Sequence, residues 1–405
     1  MLASAASFLT AKRLRAHGLI LALGLWSVYV WNMTTPGLLD RMGNLKGTDF
    51  LHFYTLGSLA LDHRGADLYN MQAQSQIAAQ HVPAAAGIRY LPLYPPQVSI
   101  FFAPVARLSY PSALLLWLTL STFLYGLCCY AIWRACPNLR NYKLTVFILA
   151  LAFPAFWHLI AWGQTSALAL ACFTLAFFAL RARQEFLAGL ALGCLIFKPQ
   201  LGLAAALVFL STLNWKVIGG AILSAVIQLT TACLFYGPAP LGEWLHRLFN
   251  LPALLPQLEP RIYQTHSLRT FWTMLIPFSS LPYPLYLISA LFLAALTVAC
   301  WRSRLPLSLR YSALLLSTVL LAPHLTVYDL VVLAPAFLLL ADWIVTQPHS
   351  PATPHLKLLL YLAFPLPLLG PLARWTHFQL SVPVMAALLY GIWLSRKSIP
   401  VPNAI

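Results

Sequence analysis

Apolar runs fill most of the chain between residue 17 and residue 395, and no soluble core can absorb them. They read as spans at 17–33, 111–134, 142–160, 164–181, 186–197, 200–212, 215–236, 283–302, 307–322, 328–346, 355–373 and 378–395. Hydrophobic residues make up 60% of the chain and charged residues 8%, where ordinary soluble domains carry about 25% charge. Segments of this length and composition cross bilayers as helices, because a helix satisfies its backbone polar groups within itself. The expected fold class is therefore an all-α integral membrane protein, a multi-pass bundle of about 11–13 transmembrane helices. Two further apolar pieces, 97–108 and 269–279, are too short to cross alone and are expected to be re-entrant or interfacial. There is no internal repeat and no low-complexity linker, so residues 1–405 read as a single membrane domain.

The net charge of +16 raises the possibility of a nucleic-acid partner. The basic residues, however, sit in short loops between apolar runs, where they set membrane orientation; no nucleic acid is expected. The 13 Trp and 17 Tyr fit interfacial belts. Most of the seven cysteines fall inside apolar runs without metal-ligand spacing, and read as small packing residues. The N-terminus, AKRLRAHGLILALGLWSVYVW, is basic and then apolar, with no small-residue cleavage site after it. It reads as an uncleaved first helix.

Lys12, Arg13 and Arg15 place the N-terminus on the cytoplasmic side. Arg134 with Arg140 and Lys143, Arg181 with Arg183, Lys216, Arg302 with Arg304 and Arg310, and Arg396 with Lys397 mark further cytoplasmic turns. All are compatible if 97–108 does not span and if 186–212 is two short helices broken at Lys198-Pro199. The first outer loop, 34–93, then shares the outer face with Gln164, Lys198, the second outer loop 237–268, His324 and Asp329. Polar groups at membrane depth are costly and usually line a cavity. Their convergence predicts a water-filled site opening outward.

Three of the chain's 9 acidic residues lie in GTDFLHFYTLGSLALDHRGADLY, residues 47–69. Phe50, Phe53, Tyr54, Gly57 and Leu61 recur at three-to-four spacing, which predicts an amphipathic helix lying on the membrane, with a second at 70–81. Asp49 either caps that helix or carries chemistry. Asp62 reads as a solvated helix end and Asp67 as an Asx-turn. The rigid Tyr94-Pro95-Pro96 corner either starts a helix or aims a loop. Gln164, in Trp162-Gly163-Gln164-Thr165, lies in a polar break that a short outer turn explains equally well.

Lys198 sits in AGLALGCLIFKPQLGLAAALVFL with no acidic neighbour in sequence. It reads as the partner of an anion such as a lipid phosphate. On that reading Lys198→Met folds at least as well as the parent, since a charge costly in lipid is removed. The alternative is a structural ion pair with Asp329 or Glu243. His324 and Asp329 open the segment after Ala322-Pro323 and either pair within the protein or serve a ligand. Zinc is not expected, because no second His or Cys stands at ligand spacing.

Asp49 with Phe53-Tyr54, Gly57, Gly65 and Tyr69, then Tyr94-Pro95-Pro96, Gly163-Gln164, Ala188-Gly189 through Lys198-Pro199, Ser267-Leu268, and Pro323-His324 with Tyr328-Asp329, form an ordered set. From about residue 47 to 335 the chain resembles glycosyltransferase family 87, membrane enzymes of the GT-C fold similar to polyprenyl-phosphate-mannose-dependent mannosyltransferases. The resemblance implies a single sugar, mannose, moved from a polyprenyl-phosphate donor to a lipid- or glycan-linked acceptor with inversion. It implies Asp49 as general base, and Lys198 and His324 near the donor phosphate with help from Arg261 or Arg269. Gln164, Tyr94 and Asp329 are implied at the substrate. The family commonly has Asn where this chain has Thr165, and Asn-Gln where it has Thr265-His266; both departures bear on donor and acceptor identity. No cofactor is required, because lysine meets the phosphate charge; Asp40, Asp62 or Asp67 joining Asp49 around a divalent ion is the alternative. The expected location is a bacterial inner membrane, with membrane lipids around the bundle and the site facing the periplasm or exterior. A secondary transporter or lipid flippase would share the intramembrane Lys, His and Asp, although only one broken helix is visible where transporters pair them. A ligase or polymerase of surface polysaccharide would share the outer site.

Overall fold

The long apolar runs fold as helices in the computed structural model, which describes residues 6–397 except 260 and 349. Among the described residues no β-strand forms beyond two isolated bridges, Leu39 with Leu45 and Thr265 with Thr326. The chain is an all-α, multi-pass integral membrane protein. Among the described residues five helical segments are long and apolar enough to cross a bilayer, seven if two bent pairs each count as one span. Six shorter apolar helices of 10–17 residues complete the bundle.

The first helix, α1 (Ala11–Met33), is capped by the Thr10 side chain, which accepts from the Arg13 N–H. Gly18 is its one buried residue, set against Ile148 and Leu149. Two indoles pin it: Trp26 donates to the Leu151 carbonyl at 2.9 Å, and Trp157 donates to the Leu25 carbonyl at 2.8 Å. The rest of α1 presents apolar surface outward, as a lipid-facing helix does.

The next three helices, α2 (Thr48–Leu61), α3 (Met71–His81) and α4 (Gln97–Ala106), build the first loop region. The expected amphipathic helix at 50–61 is corrected. Phe50 through Ala60 are all buried, polar His52, Thr55 and Ser58 included. A helix on a membrane surface keeps one wet face; α2 has none because α3 and α4 cover it. The approach of α4 is so close that a Cβ on Gly57 would stand 2.6 Å from the Phe102 carbonyl oxygen. Phe53 stacks on Phe102 at 5.0 Å between ring centroids, and Phe102 meets Trp117 edge-on at 4.9 Å. In α3 one face only is buried, by Ala73, Gln74, Ile77 and Ala78. At ten residues α4 is about 15 Å long, half a bilayer core.

The bundle follows: α5 (Tyr110–Arg134), α6 (Lys143–Ala152), α7 (Pro154–Trp162), α8 (Ser166–Arg181), α9 (Glu185–Gly193), α10 (Pro199–Ser211) and α11 (Trp215–Tyr236). The expected continuous span at 142–160 is bent by 44° between α6 and α7. Phe153 is extended and Pro154 opens α7, since proline has no N–H to continue the ladder and clashes with the preceding turn. The break at Lys198 is present: a 3-10 turn, Cys194–Phe197, leads to Lys198 at φ −136°, and Pro199 starts α10. Helices α9 and α11 meet along a glycine seam. A Cβ on Gly189, Gly193 or Gly220 would fall 2.1–2.3 Å from a backbone oxygen of the facing helix. Small residues are what let helices in lipid approach this closely.

The second loop region carries α12 (Ala239–Phe249), α13 (Leu251–Leu258) and α14 (Leu268–Leu275). Then come α15 (Pro282–Trp301), α16 (Leu307–Leu321), a 3-10 turn Val327–Leu333 leading into α17 (Ala334–Thr346), α18 (Thr353–Ala363), the short α19 (Ala373–Thr376) and α20 (Ser381–Leu394). The run expected at 355–373 is bent by 51° around Pro365 and Pro367. Helix α16 is the centre of the core: Leu309 and every residue from Tyr311 to Leu321 are buried, as a helix hydrophobic all round requires.

Candidate active site

Three chain breaks meet above the core, and each delivers one polar group. The first is Gly163, which ends α7 in the left-handed region at φ +72°. A Cβ there would stand 2.7 Å from the Phe50 Cβ, so the position admits only glycine on both counts. Trp117 fixes its carbonyl with a 3.0 Å indole hydrogen bond. Gln164 is thereby turned toward α2, where its Nε2 donates to Asp49 Oδ2 at 2.7 Å and to the Tyr328 hydroxyl at 3.2 Å.

The second and third breaks supply a buried ion pair. Lys198 Nζ donates to Asp329 Oδ1 at 2.7 Å, to Ser166 Oγ at 3.2 Å and to Gln164 Oε1 at 3.4 Å, using all three of its protons. Both side chains are at least 95% buried. Ser166 also donates to Asp329 Oδ1, at 2.5 Å, and Thr326 donates to Oδ2 from its backbone and its hydroxyl. Lys198 lies 5.1 Å from the Tyr328 ring centroid, a cation–π distance. The ammonium thus has a carboxylate 131 positions away, and the expectation of an unpaired lysine awaiting an anion is corrected. The expected tolerance of Lys198→Met falls with it, because removing one member of a buried pair leaves the other uncompensated.

These groups form the floor of a cavity of about 870 Å³. Asp49 is enclosed on the protein side and open to the cavity, in the first turn of α2. The helix is not capped by it: the N-cap is Gly47, with no side-chain cap. Burial pushes the Asp49 carboxyl up to about 6, against the opposing effects of the Gln164 hydrogen bond and of Lys198. It is a carboxylate at neutral pH, yet basic enough to take a proton from a bound hydroxyl. One wall is aromatic. His52 stacks on Tyr90 with ring centroids 4.8 Å apart and planes 6° from parallel, and Tyr94 meets Phe53 edge-on at 4.9 Å. The Tyr90 hydroxyl donates to the Thr48 carbonyl, and Tyr69 donates to the Tyr94 carbonyl at 2.9 Å, fixing the wall to α2 and the proline corner.

The lining also carries charge. His324 Nδ1 and Glu259 Oε1 are 2.7 Å apart, and Arg269 bonds both Glu259 Oε2 and the Pro323 carbonyl. The His266 N–H donates to the Leu325 carbonyl at 3.0 Å, tying the second loop region to this break. Arg89 and Arg261 are exposed and line the same cavity.

Of the sequence-derived candidates, Asp49, Tyr94, Gln164, Lys198, Arg261, His324 and Asp329 all line the cavity. Arg269 does not; it stands behind Glu259. Asp40 lines the cavity but is engaged in a turn, accepting from the Met42 and Asn44 N–H groups and from Asn32. Asp62 and Asp67 lie away from it, Asp67 paired with Arg64 at 2.8 Å. His52, Arg89, Tyr90 and Glu259 were not singled out by sequence. Only His52 had a local signal: it stands three residues after Asp49 and therefore on the same helix face.

The sequence profile of glycosyltransferase family 87 matches residues 93–327, more than half of the chain. The chain belongs to glycosyltransferase family 87. It is thus a membrane glycosyltransferase, and the match takes in Tyr94, Gln164, Lys198, Glu259 and His324. Asp49 and Asp329 lie outside the matched residues, and reach the family 87 segment through Gln164 and Lys198. No curated protein and no solved structure matches the chain.

Proposed function

We propose that this family 87 enzyme moves a single sugar, mannose, from a polyprenyl-phosphate donor to a lipid- or glycan-linked acceptor at the outer face of the membrane. The observation that carries the reading is Asp49, a carboxylate raised to about 6 by burial and facing a cavity whose lining carries cationic groups. The acceptor oxygen attacks the anomeric carbon, and its proton passes to Asp49. The bond from the anomeric carbon to the phosphate oxygen breaks, with the electron pair staying on the phosphate. That leaving group is already stable, so no general acid is needed. Its growing charge is met by His324, which Glu259 holds in place, and by the exposed Arg261 and Arg89. Attack from the side opposite the phosphate inverts the anomeric centre. Lys198 acts through Gln164 and Asp329, holding the amide that aims Asp49. No step in this scheme draws on a metal.

The test is purified protein with a radiolabelled, short-chain isoprenyl-phosphomannose of known anomeric configuration. The expected product carries one labelled sugar with the opposite configuration. Transfer of a glycan chain, or of a sugar with retained configuration, contradicts the proposal.

A further inference from the structure

A histidine on the cavity wall has no role in that scheme. His52 stands one turn after Asp49 on α2, its ring stacked flat on Tyr90 and held edge-on by Tyr94 at 5.6 Å. The ring borders the cavity, yet the residue is 95% buried and Nε2 has no hydrogen-bond partner. An unpaired buried N–H is costlier than an unpaired lone pair, which native structures tolerate more often. The proton therefore belongs on Nδ1, the nitrogen left to meet a ligand, and the imidazole is an N–H donor facing the site. Burial lowers its pKa to about 3. It stays neutral in use and suits a hydroxyl rather than a phosphate.

We infer that His52 is a sugar-recognition residue, donating from Nδ1 to a hydroxyl of the sugar being transferred while Tyr90 and Tyr94 hold its ring in place. The inference rests on the lipid-phosphate donor reading above and divides the cavity. The sugar lies against α2, between Asp49 and the stacked rings. The phosphate lies toward Arg261 and His324. On α2 the Cβ atoms of Asp49 and His52 are about 5–6 Å apart, close enough for one hexose to face both.

The experiment compares binding of a short-chain isoprenyl phosphate with binding of the same lipid phosphate carrying mannose. In the parent protein the sugar strengthens binding, and that gain isolates sugar contacts from lipid and phosphate contacts. His52→Phe keeps the stack and removes the donor. It is expected to cut the gain about tenfold, as one lost hydrogen bond does, and to leave affinity for the bare lipid phosphate within twofold. His52→Asn places an amide N–H near the Nδ1 position and is expected to recover part of the gain; His52→Gln reaches toward Nε2 and is not. One monodeoxy donor should bind the parent as weakly as the full donor binds His52→Phe. If the sugar-dependent gain survives in His52→Phe, or if both affinities fall together, His52 only packs and the inference is wrong while the donor reading stands. If the sugar adds nothing to binding by the parent, the donor reading fails and the inference with it.

Discussion

Asp49 and His52 share one face of α2, and burial moves the two in opposite chemical directions. It makes the carboxyl more basic and the imidazole less so, because in each case the charged form is the one that burial penalises. For Asp49 this has a measurable stability consequence. Its folded pKa, about 6, lies above the ordinary 3.8. The associated stability is thus fully present below pH 3.8 and is lost as pH rises through 6. A rise of this size corresponds to at most about 3 kcal/mol at pH 7.5. Asp49→Asn keeps an oxygen for Gln164 and never ionises. Its thermal midpoint in detergent should match the parent near pH 4 and exceed it at pH 7.5. A variant less stable than the parent at pH 7.5 would show that the ionised carboxylate is favoured in place, contrary to the burial argument.

The breaks after α7, between α9 and α10, and after α16 each expose backbone and place one polar side chain, and the Lys198–Asp329 pair fastens the second break to the third. Lys198→Met should cost about 3–5 kcal/mol by leaving Asp329 buried and unpaired. Replacing both, Lys198→Met with Asp329→Leu, should restore most of the stability, since a buried ion pair and an apolar pair of similar volume are often nearly equivalent. Sugar transfer should stay low in the double variant, because Gln164 has lost the ammonium that orients it. Unfolding midpoints and turnover of the single and double variants check this; full turnover in the double variant would reduce the pair to a structural clamp. The break at Lys198 was legible in the sequence because a lysine and a proline interrupt an apolar run. Pro154 bends its run just as surely, but apolar neighbours on both sides hide it, and the same holds at Pro365 and Pro367. The sequence offered Asp329 and Glu243 as alternative partners for Lys198, but with 131 positions between the two paired residues only the fold could choose between them. Helix α2 was misread because spacing reports one apolar face, whereas α3 and α4 bury the other.

Across the whole molecule, residues from 28 to 329 gather around one cavity: the end of α1, the start of α2, the proline corner, the breaks at 163 and 198, the end of α13 and the turn at 323–329. Composition made the membrane fold legible, and the ordered polar breaks marked most of the cavity. Arg89 and Glu259 were not legible, because charged residues in loops look alike in sequence until the fold brings some of them to a site. The central claim is that this cavity is a sugar-transfer site with Asp49 as its base. The most direct measurement is single-turnover transfer from isoprenyl-phosphomannose by the parent and by Asp49→Asn at equal folded concentration. Loss of a general base predicts a fall of about 10²–10⁴-fold, with donor binding unchanged. Transfer by Asp49→Asn within a few-fold of the parent would contradict the account.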